Sequence, residues 1–188
     1  RREYKVIDEK TGDELVIDNK YIMSPKDLCT IRFVDKLLDA GVRVFKLEGR
    51  GRSPEYVYTV TKAYREAAEA HYDGSYTKEK INAWEKDLEK VFNRGFWHGG
   101  YYLGKKLGEW SGKYGSHAKT KREFLGRAIT FFKKQDVGEF YIETGELHKG
   151  EKVTIAGPTT GFLQVIVEDM RVDNKPVDTA KKGENVTF

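Results

Sequence analysis

"RVFKLEGRGRSPEYV", residues Arg43 to Val57, decides how the first half of the chain is built. Its start alternates apolar and polar side chains, as a strand does. Its end opens a helix at Ser53-Pro54, a capping hydroxyl followed by a proline at the first helical position. Between the two lies Glu48-Gly49-Arg50-Gly51-Arg52, charges that an apolar interior would not accept. Alternation puts Phe45, Leu47 and Gly49 on one face and Val44, Lys46, Glu48 and Arg50 on the other. In parallel α/β architectures the carboxyl ends of strands form the reactive face, so these charges read as the rim of a binding site. Lys46, Glu48 and Arg50 are therefore the candidate catalytic residues. Gly49 and Gly51 let the backbone turn or approach a ligand, and Arg50 and Arg52 suit a carboxylate or phosphate. The competing explanation is structural: Glu48 simply neutralises Lys46 or Arg50.

Upstream, "YKVID" and "ELVIDN" flank the turn-forming "EKTGD" and predict a β-hairpin within residues 1 to 23. "SPKDLCTIRFVDKLLDAG" predicts a helix from Ser24-Pro25, with Leu28, Ile31, Val34 and Leu38 at helical spacing and Gly41 at its end. That places Cys29 one turn into the helix, near Asp27, whose carboxylate would cap or orient neighbours. Downstream, "SPEYVYTVTKAYREAAEAHYDG" predicts a helix with Val57, Val60, Tyr64 and Ala67 on one face, and another helix spans Lys78 to Phe92. The unit helix, glycine, strand, charged loop, helix belongs to an α/β layer whose strand pairs with parallel neighbours. Residues 1–92 offer one such crossover, so the expectation is part of a cut α/β barrel or sheet, its other strands on preceding residues or on a partner chain. The chain opens at Arg1 rather than Met, as a cut or processed product would.

From Arg122 only β patterns follow: "EFLGRAITFFKK", "GEFYIETG", "EKVTIAGP", "GFLQVIVEDMRV" and "ENVTF". Short strands broken by frequent turns predict a small antiparallel barrel or sandwich. The expected organisation is residues 1–104 for the α/β part, 105–121 for a basic Gly-rich linker and 122–188 for the small β domain.

With 188 residues, 38% apolar and 34% charged, the chain can bury one generous core or two modest ones. No apolar run approaches the roughly 18 residues of a membrane span, and no signal-peptide core opens the chain. Cys29 is the single cysteine, which excludes an internal disulfide and fits a reducing, cytoplasmic compartment. A formal charge of +4 predicts no partner by itself, but its distribution is uneven. Seven Lys or Arg lie between Lys105 and Arg127 against two acids, interleaved with or preceded by Phe96, Trp97, Tyr101, Tyr102, Trp110 and Tyr114. Cations beside stacking rings are the ingredients of a single-stranded nucleic-acid surface, with Lys105, Lys106, Trp110, Lys113 and Tyr114 as its candidates. A solvated linker whose rings pack on a neighbouring domain is the alternative. None of His71, His98, His117 and His148 forms a local pair with Cys29, and neither G-x-S-x-G nor H-E-x-x-H occurs.

"YIMSPKDLCTI" followed by "LLDAGVRVFKLEGRGRSPEYVYTVTKAYREA" resembles the signature region of the collagenase-like peptidases of family U32. "FNRGFWHGGYYLG" is similar to that family's Asn-Arg-Gly-Phe segment, and "ETGELHKGEKVTIAGPTTG" with "DNKPVDTAKKGENVTF" to its C-terminal β-barrel, of the kind of domain two of elongation factor Tu. The resemblance implies a modified (β/α) TIM-like barrel, of which this chain holds the closing part, followed by that small barrel. It also implies chemistry other than the peptidase label. Better-understood members are oxygen-independent hydroxylases of RNA pyrimidines or quinone precursors, with a 4Fe-4S cluster held by four cysteines. Cys29 matches the last of the four, the other three lying before Arg1, so the chain alone would not hold the cluster. Thiolate ligation suits such a cluster. In the RNA-modifying case Lys46, Glu48 and Arg50 would line the barrel mouth near the cluster. The basic aromatic segment and the small barrel would hold tRNA or rRNA, its target base unstacked. Asn93, Arg94 and Tyr101 also fall on matched motifs. The alternatives are a peptidase true to its label, acting on collagen-like peptides, and a β module at 122–188 that only presents substrate.

Overall fold

Tyr4–Ile7 (β1) and Glu14–Ile17 (β2) pair antiparallel, Tyr4 opposite Ile17 and Ile7 opposite Glu14, which is the hairpin expected at the N-terminal end. Its turn is closed by Asp8, whose carboxylate accepts from the backbone N–H of Lys10 (2.9 Å) and Thr11 (3.1 Å); these bonds hold its pKa below the usual carboxylate value. Gly12, at φ +74°, supplies the left-handed residue the turn needs. The structure is a computed structural model that describes residues 4–17, 25–98, 111–112 and 114–188. It divides into two compact units, 1–120 and 121–188.

In the first unit Asp27–Leu28 (β3) forms a short parallel pair with Phe96–Trp97 (β4). A 3-10 turn at Ile31–Phe33 leads into Val34–Asp39 (α1), and Pro54–Tyr72 (α2) and Lys78–Lys90 (α3) follow before β4. The helix expected from Ser24-Pro25 thus begins only at Ile31, and Cys29 precedes it. Residues 27–29 are committed to β pairing, with Asp27 N donating to the Gly95 carbonyl and Cys29 N to the Trp97 carbonyl, both at 2.9 Å. Helix α2 starts where Ser53 and Pro54 predict, the Ser53 hydroxyl accepting from Tyr56 N. Ala63, Ala67 and Ala70 form its buried stripe, and small side chains there let α1 and α3 approach closely. They pack with Cys29, Ile31, Val34, Leu38, Trp84 and Leu88. Val57, assigned to the inner face by spacing, is instead 45% exposed one turn into α2. Tyr76 donates its hydroxyl proton to the Ile31 carbonyl and ties the 3-10 turn to the start of α3.

Residues 42–49, expected as a strand, form no ladder among the described residues. The alternation is nonetheless physical: Phe45, Leu47 and Gly49 are half-buried, while Val44, Lys46, Glu48 and Arg50 are exposed.

The second unit is wholly antiparallel. Gly126–Phe132 (β5), Val137–Ile142 (β6), Glu146–His148 (β7), Lys152–Gly157 (β8), Gly161–Ile166 (β9), Arg171–Val172 (β10), Lys175–Pro176 (β11), Thr179–Lys181 (β12) and Asn185–Thr187 (β13) follow in order. Five of them make an open sheet, β11-β10-β13-β6-β5; β7 pairs with β12 and β8 with β9. Mixed helices and antiparallel sheets are therefore the architecture, and among the described residues no sheet closes into the barrel expected for residues 122–188. Ile142, Leu147, Val167, Met170, Ala180 and Val186 form the core. Among the described residues no helix is long and apolar enough to cross a membrane.

Gly126 is fixed by its partner strand, because a Cβ there would run into the backbone carbonyl oxygen of Tyr141. Gly126→Ala is expected to destabilise the β unit by about 1–3 kcal/mol, the range for overpacking. At Gly157, where the nearest atom to an added Cβ is Thr160 Oγ1 at 3.8 Å, alanine should change stability by no more than about 0.5 kcal/mol. Urea denaturation read by hydrogen exchange in β5 and β6 separates the two cases.

Candidate functional site

The Asn93-Arg94-Gly95 turn delivers the first polar group of the site. Asn93 is 5% exposed; its Nδ2 donates to the Val91 carbonyl (3.0 Å), and its Oδ1 accepts from Gly95 N (3.0 Å). Gly95 takes φ +80°. So held, Arg94 faces Asp27. Its backbone N–H donates to Asp27 Oδ2 (2.9 Å), and Nε and Nη2 both donate to Asp27 Oδ1 (3.0 and 2.8 Å). Both carboxylate oxygens are used, and the pair is partly shielded from solvent. Such charge-assisted bonds are stronger and more directional than neutral ones.

The second part comes from the charged loop. Glu48 Oε1 accepts from the backbone N–H of Arg50 (2.9 Å), so part of its charge serves its own turn. Arg52 N donates to the Gly49 carbonyl (3.0 Å), and Gly51 turns at φ +70°. Gly49 passes so close to α2 that an added Cβ would lie 2.9 Å from Val57 Cγ2. Arg52 does not extend into solvent; its guanidinium lies 3.8 Å above the centre of the Phe92 ring and 5.7 Å from that of Tyr56. Burial pushes the Tyr56 phenol above its usual pKa; the charges of Asp27 and Glu48 add to this, and Arg52 and Arg94 oppose it. One phenol thus senses two carboxylates and two guanidiniums.

Of the three candidate catalytic residues, Glu48 belongs to this constellation. Lys46 and Arg50 share its exposed side, with no side-chain partner among the described residues. Tyr56 and Phe92 were not singled out from sequence. The only available signal was a ring three or four residues after an arginine, visible for Arg52 and Tyr56 but not for Phe92.

Cys29 lies in the core rather than on this face. It is 3% exposed, and burial foremost, then the Glu85 carboxylate, pushes its thiol pKa up. Tyr64 packs against it, accepting from Thr30 N (2.9 Å), its own pKa pushed up to about 12 chiefly by burial. Glu85 itself is forked by Arg32, Nε to Oε1 at 2.6 Å and Nη2 to Oε2 at 2.8 Å. His98 Nδ1 meets the Cys29 carbonyl at 3.0 Å, so there is no thiol–imidazole pair. The serine–imidazole contact at Ser111 Oγ and His117 Nε2 (3.0 Å) involves a serine only 7% exposed, out of reach of a polymeric substrate. Of the nucleic-acid candidates, Lys105, Lys106, Trp110 and Lys113 lie outside the described residues; Tyr114 is 86% exposed.

The model of peptidase family U32 matches residues 1–112, the part that holds this face. The chain belongs to peptidase family U32. It is 52% identical, over all of its length, to a collagenase of Porphyromonas gingivalis, of which it spans 45%. It is 37% identical to an uncharacterized protease of Methanocaldococcus jannaschii, covering 99% of this chain and 46% of that protein. It is 31% identical to tRNA hydroxylation protein P1 of Bacillus subtilis, covering 87% of this chain and 39% of that protein. Among solved structures, the C-terminal domain of a Geobacillus thermoleovorans U32 peptidase matches at a TM-score of 0.34 and 19% identity, covering 36% of this chain and 83% of that domain.

A four-cysteine iron–sulfur cluster does not fit the residues of this U32 chain. One thiol is present, it is buried and held protonated, and no group of three or more His, Cys, Asp or Glu among the described residues could hold a metal ion.

Asp27→Ala should lower stability by about 1–3 kcal/mol in urea denaturation, because it strands the Arg94 N–H and guanidinium together. Arg94→Lys should lose less, because the backbone N–H bond and the charge remain while the ammonium cannot reproduce the fork. Cys29 and Tyr64 predict an alkaline limit. Their folded pKa values lie above the reference 9.0 and 10.0, so the folded state holds protons that the unfolded state releases. Their contribution is intact below pH 9.0 and is lost as pH rises toward about 12. Cys29→Ala should flatten the first part of the fall in unfolding free energy; an unchanged slope would mean that the thiol is not shielded.

Proposed function

We propose that this chain is the C-terminal segment of a U32 enzyme that hydroxylates RNA pyrimidines. The carrying observation is where the charge resides. Residues 121–188 hold eleven Lys or Arg and eleven Asp or Glu, so the whole excess of +4 belongs to residues 1–120, the unit with the exposed Lys46 and Arg50 edge. A polyanion is drawn to a local excess of cations, and the exposed Tyr114 ring is suited to stacking. The 31% identity to a tRNA hydroxylation protein supports the same reading. Lys46 and Arg50 hold phosphate, Glu48 and Arg52 shape the edge, and Lys105, Lys106, Trp110, Lys113 and Tyr114 extend the RNA path.

In the longer protein, residues 42–49 would gain the strand neighbours of a (β/α) barrel that this unit closes, and residues 122–188 would form the small barrel of the elongation-factor type. Cys29 would become a cluster ligand only with thiolates supplied by residues outside this chain.

Peptide hydrolysis is the second reading, favoured by the 52% identity to a protein named collagenase. It needs an exposed nucleophile beside a base, and Ser111 with His117 does not supply one.

RNA binding should weaken steadily as salt rises, and Lys46→Ala and Arg50→Ala should each weaken it and reduce the salt slope by about 1. Filter binding at several salt concentrations measures this; salt-independent binding refutes the electrostatic edge. Iron and sulfide in the anaerobically purified longer protein, lost on Cys29→Ala, would support the redox assignment. Metal-free protein that cleaves peptides would establish the second reading instead.

A further inference from the structure

The β unit contains a cleft of about 1340 Å³, larger than the roughly 300–1,000 Å³ of an ordinary small-molecule pocket. One wall is residues 121–128, leading into and along β5; the opposite wall is residues 151–156, along β8. Strand β5 ends the five-stranded sheet and pairs only with β6, and β8 pairs only with β9. Each therefore has one edge without a ladder partner among the described residues. Of these walls, Gly126–Ala128 of β5 and Lys152–Ala156 of β8 are the strand residues that border the cleft. Phe140, Ile142, Leu147 and Phe188 form an apolar floor, with Phe140 and Phe188 stacked at 4.5 Å.

We propose that this cleft binds an extended polypeptide segment, which inserts between β5 and β8 and pairs with their backbones. Two strands that border one cleft, each with an edge lacking a ladder partner among the described residues, ask for a strand, because peptide N–H and C=O groups are what such edges lack. An inserted strand would also join the five-stranded sheet to the β8–β9 ladder, which is the connection the expected barrel lacks. The charge balance favours polypeptide over nucleic acid. Glu123, Glu146 and Glu151 line the cleft among Lys121, Arg122, Arg127 and Lys152, and the unit has no net charge to attract phosphates. The proposal stands apart from the RNA reading, which concerns residues 1–120.

The test uses the whole chain with a capped peptide of alternating threonine and valine, the same peptide N-methylated at alternate residues, and a short oligo-uridine. The plain peptide should bind and slow amide exchange in both 124–128 and 152–156. Alternate N-methylation should weaken binding by about tenfold or more, since it removes backbone donors. Ala128→Trp and Ala156→Trp, at exposed positions of the two walls, should obstruct the cleft and weaken binding similarly while circular dichroism stays unchanged. Equal binding of plain and methylated peptides, protection of these strands by oligo-uridine but not by peptide, or no protection by either, would each overturn the proposal.

Discussion

The carboxylate of Asp27 is the constraint on which the first unit depends. Strands β3 and β4 are two residues each, too short for their ladder to hold two distant parts of the chain together. The clamp between Asp27 and Arg94 supplies what the ladder lacks: three charge-assisted bonds from a residue 67 positions away, one of them from the backbone itself. Once it forms, the chain direction through Leu28 and Cys29 is set. The thiol then falls among Ile31, Val34 and the alanines of α2, while the arginine remains on the face sensed by Tyr56. One ion pair thus separates an apolar interior from a polar edge only a residue or two away.

The charged loop obeys the same economy. Glycine at 49 lets the backbone pass close to the Val57 methyl, and the turn into α2 takes left-handed backbone at 51. Glu48 and Arg52, which look free for chemistry when read along the chain, carry structural duties: one closes the Arg50 turn, the other covers Phe92. A structural duty does not exclude a functional one, because a side chain held in place loses less entropy on meeting a ligand than one ordered at that moment. Lys46 and Arg50 are the complement, exposed cations that the described residues leave unused.

Features set by neighbours in sequence were legible. "EKTGD" foretells the hairpin turn, Ser53-Pro54 the start of α2, and turn residues between alternating runs the strands of the β unit, whereas the closing role of Asp8 came only with the structure. Features set by distant partners were not. Ser24-Pro25 followed by Asp27 has the local signature of a helix N-terminus, and nothing within a few residues discloses that Asp27 is taken by Arg94. The alternation over 42–49 likewise revealed the two faces correctly but not the ladder, because alternation reports burial and not pairing. Cys29 was visible as a lone thiol; its shielding comes from burial in a core built with residues far along the chain, Ala67 and Leu88 among them.

Charge balance separates the two units more sharply than their folds do. In residues 121–188 cations sit against acids, Arg127 with Glu143 and Lys121 with Glu123, so local fields largely cancel within a Debye length. Exposed pairs of this kind add little stability. Their effect is to leave the unit without a net charge, so that backbone hydrogen bonding and apolar contact weigh more in what the proposed cleft could recognise. Residues 1–120 carry the uncancelled excess and expose Lys46 and Arg50, so the RNA proposal has its electrostatic source there. On the two proposals made above, the units would meet their partners through different forces, one dependent on salt and the other largely indifferent to it.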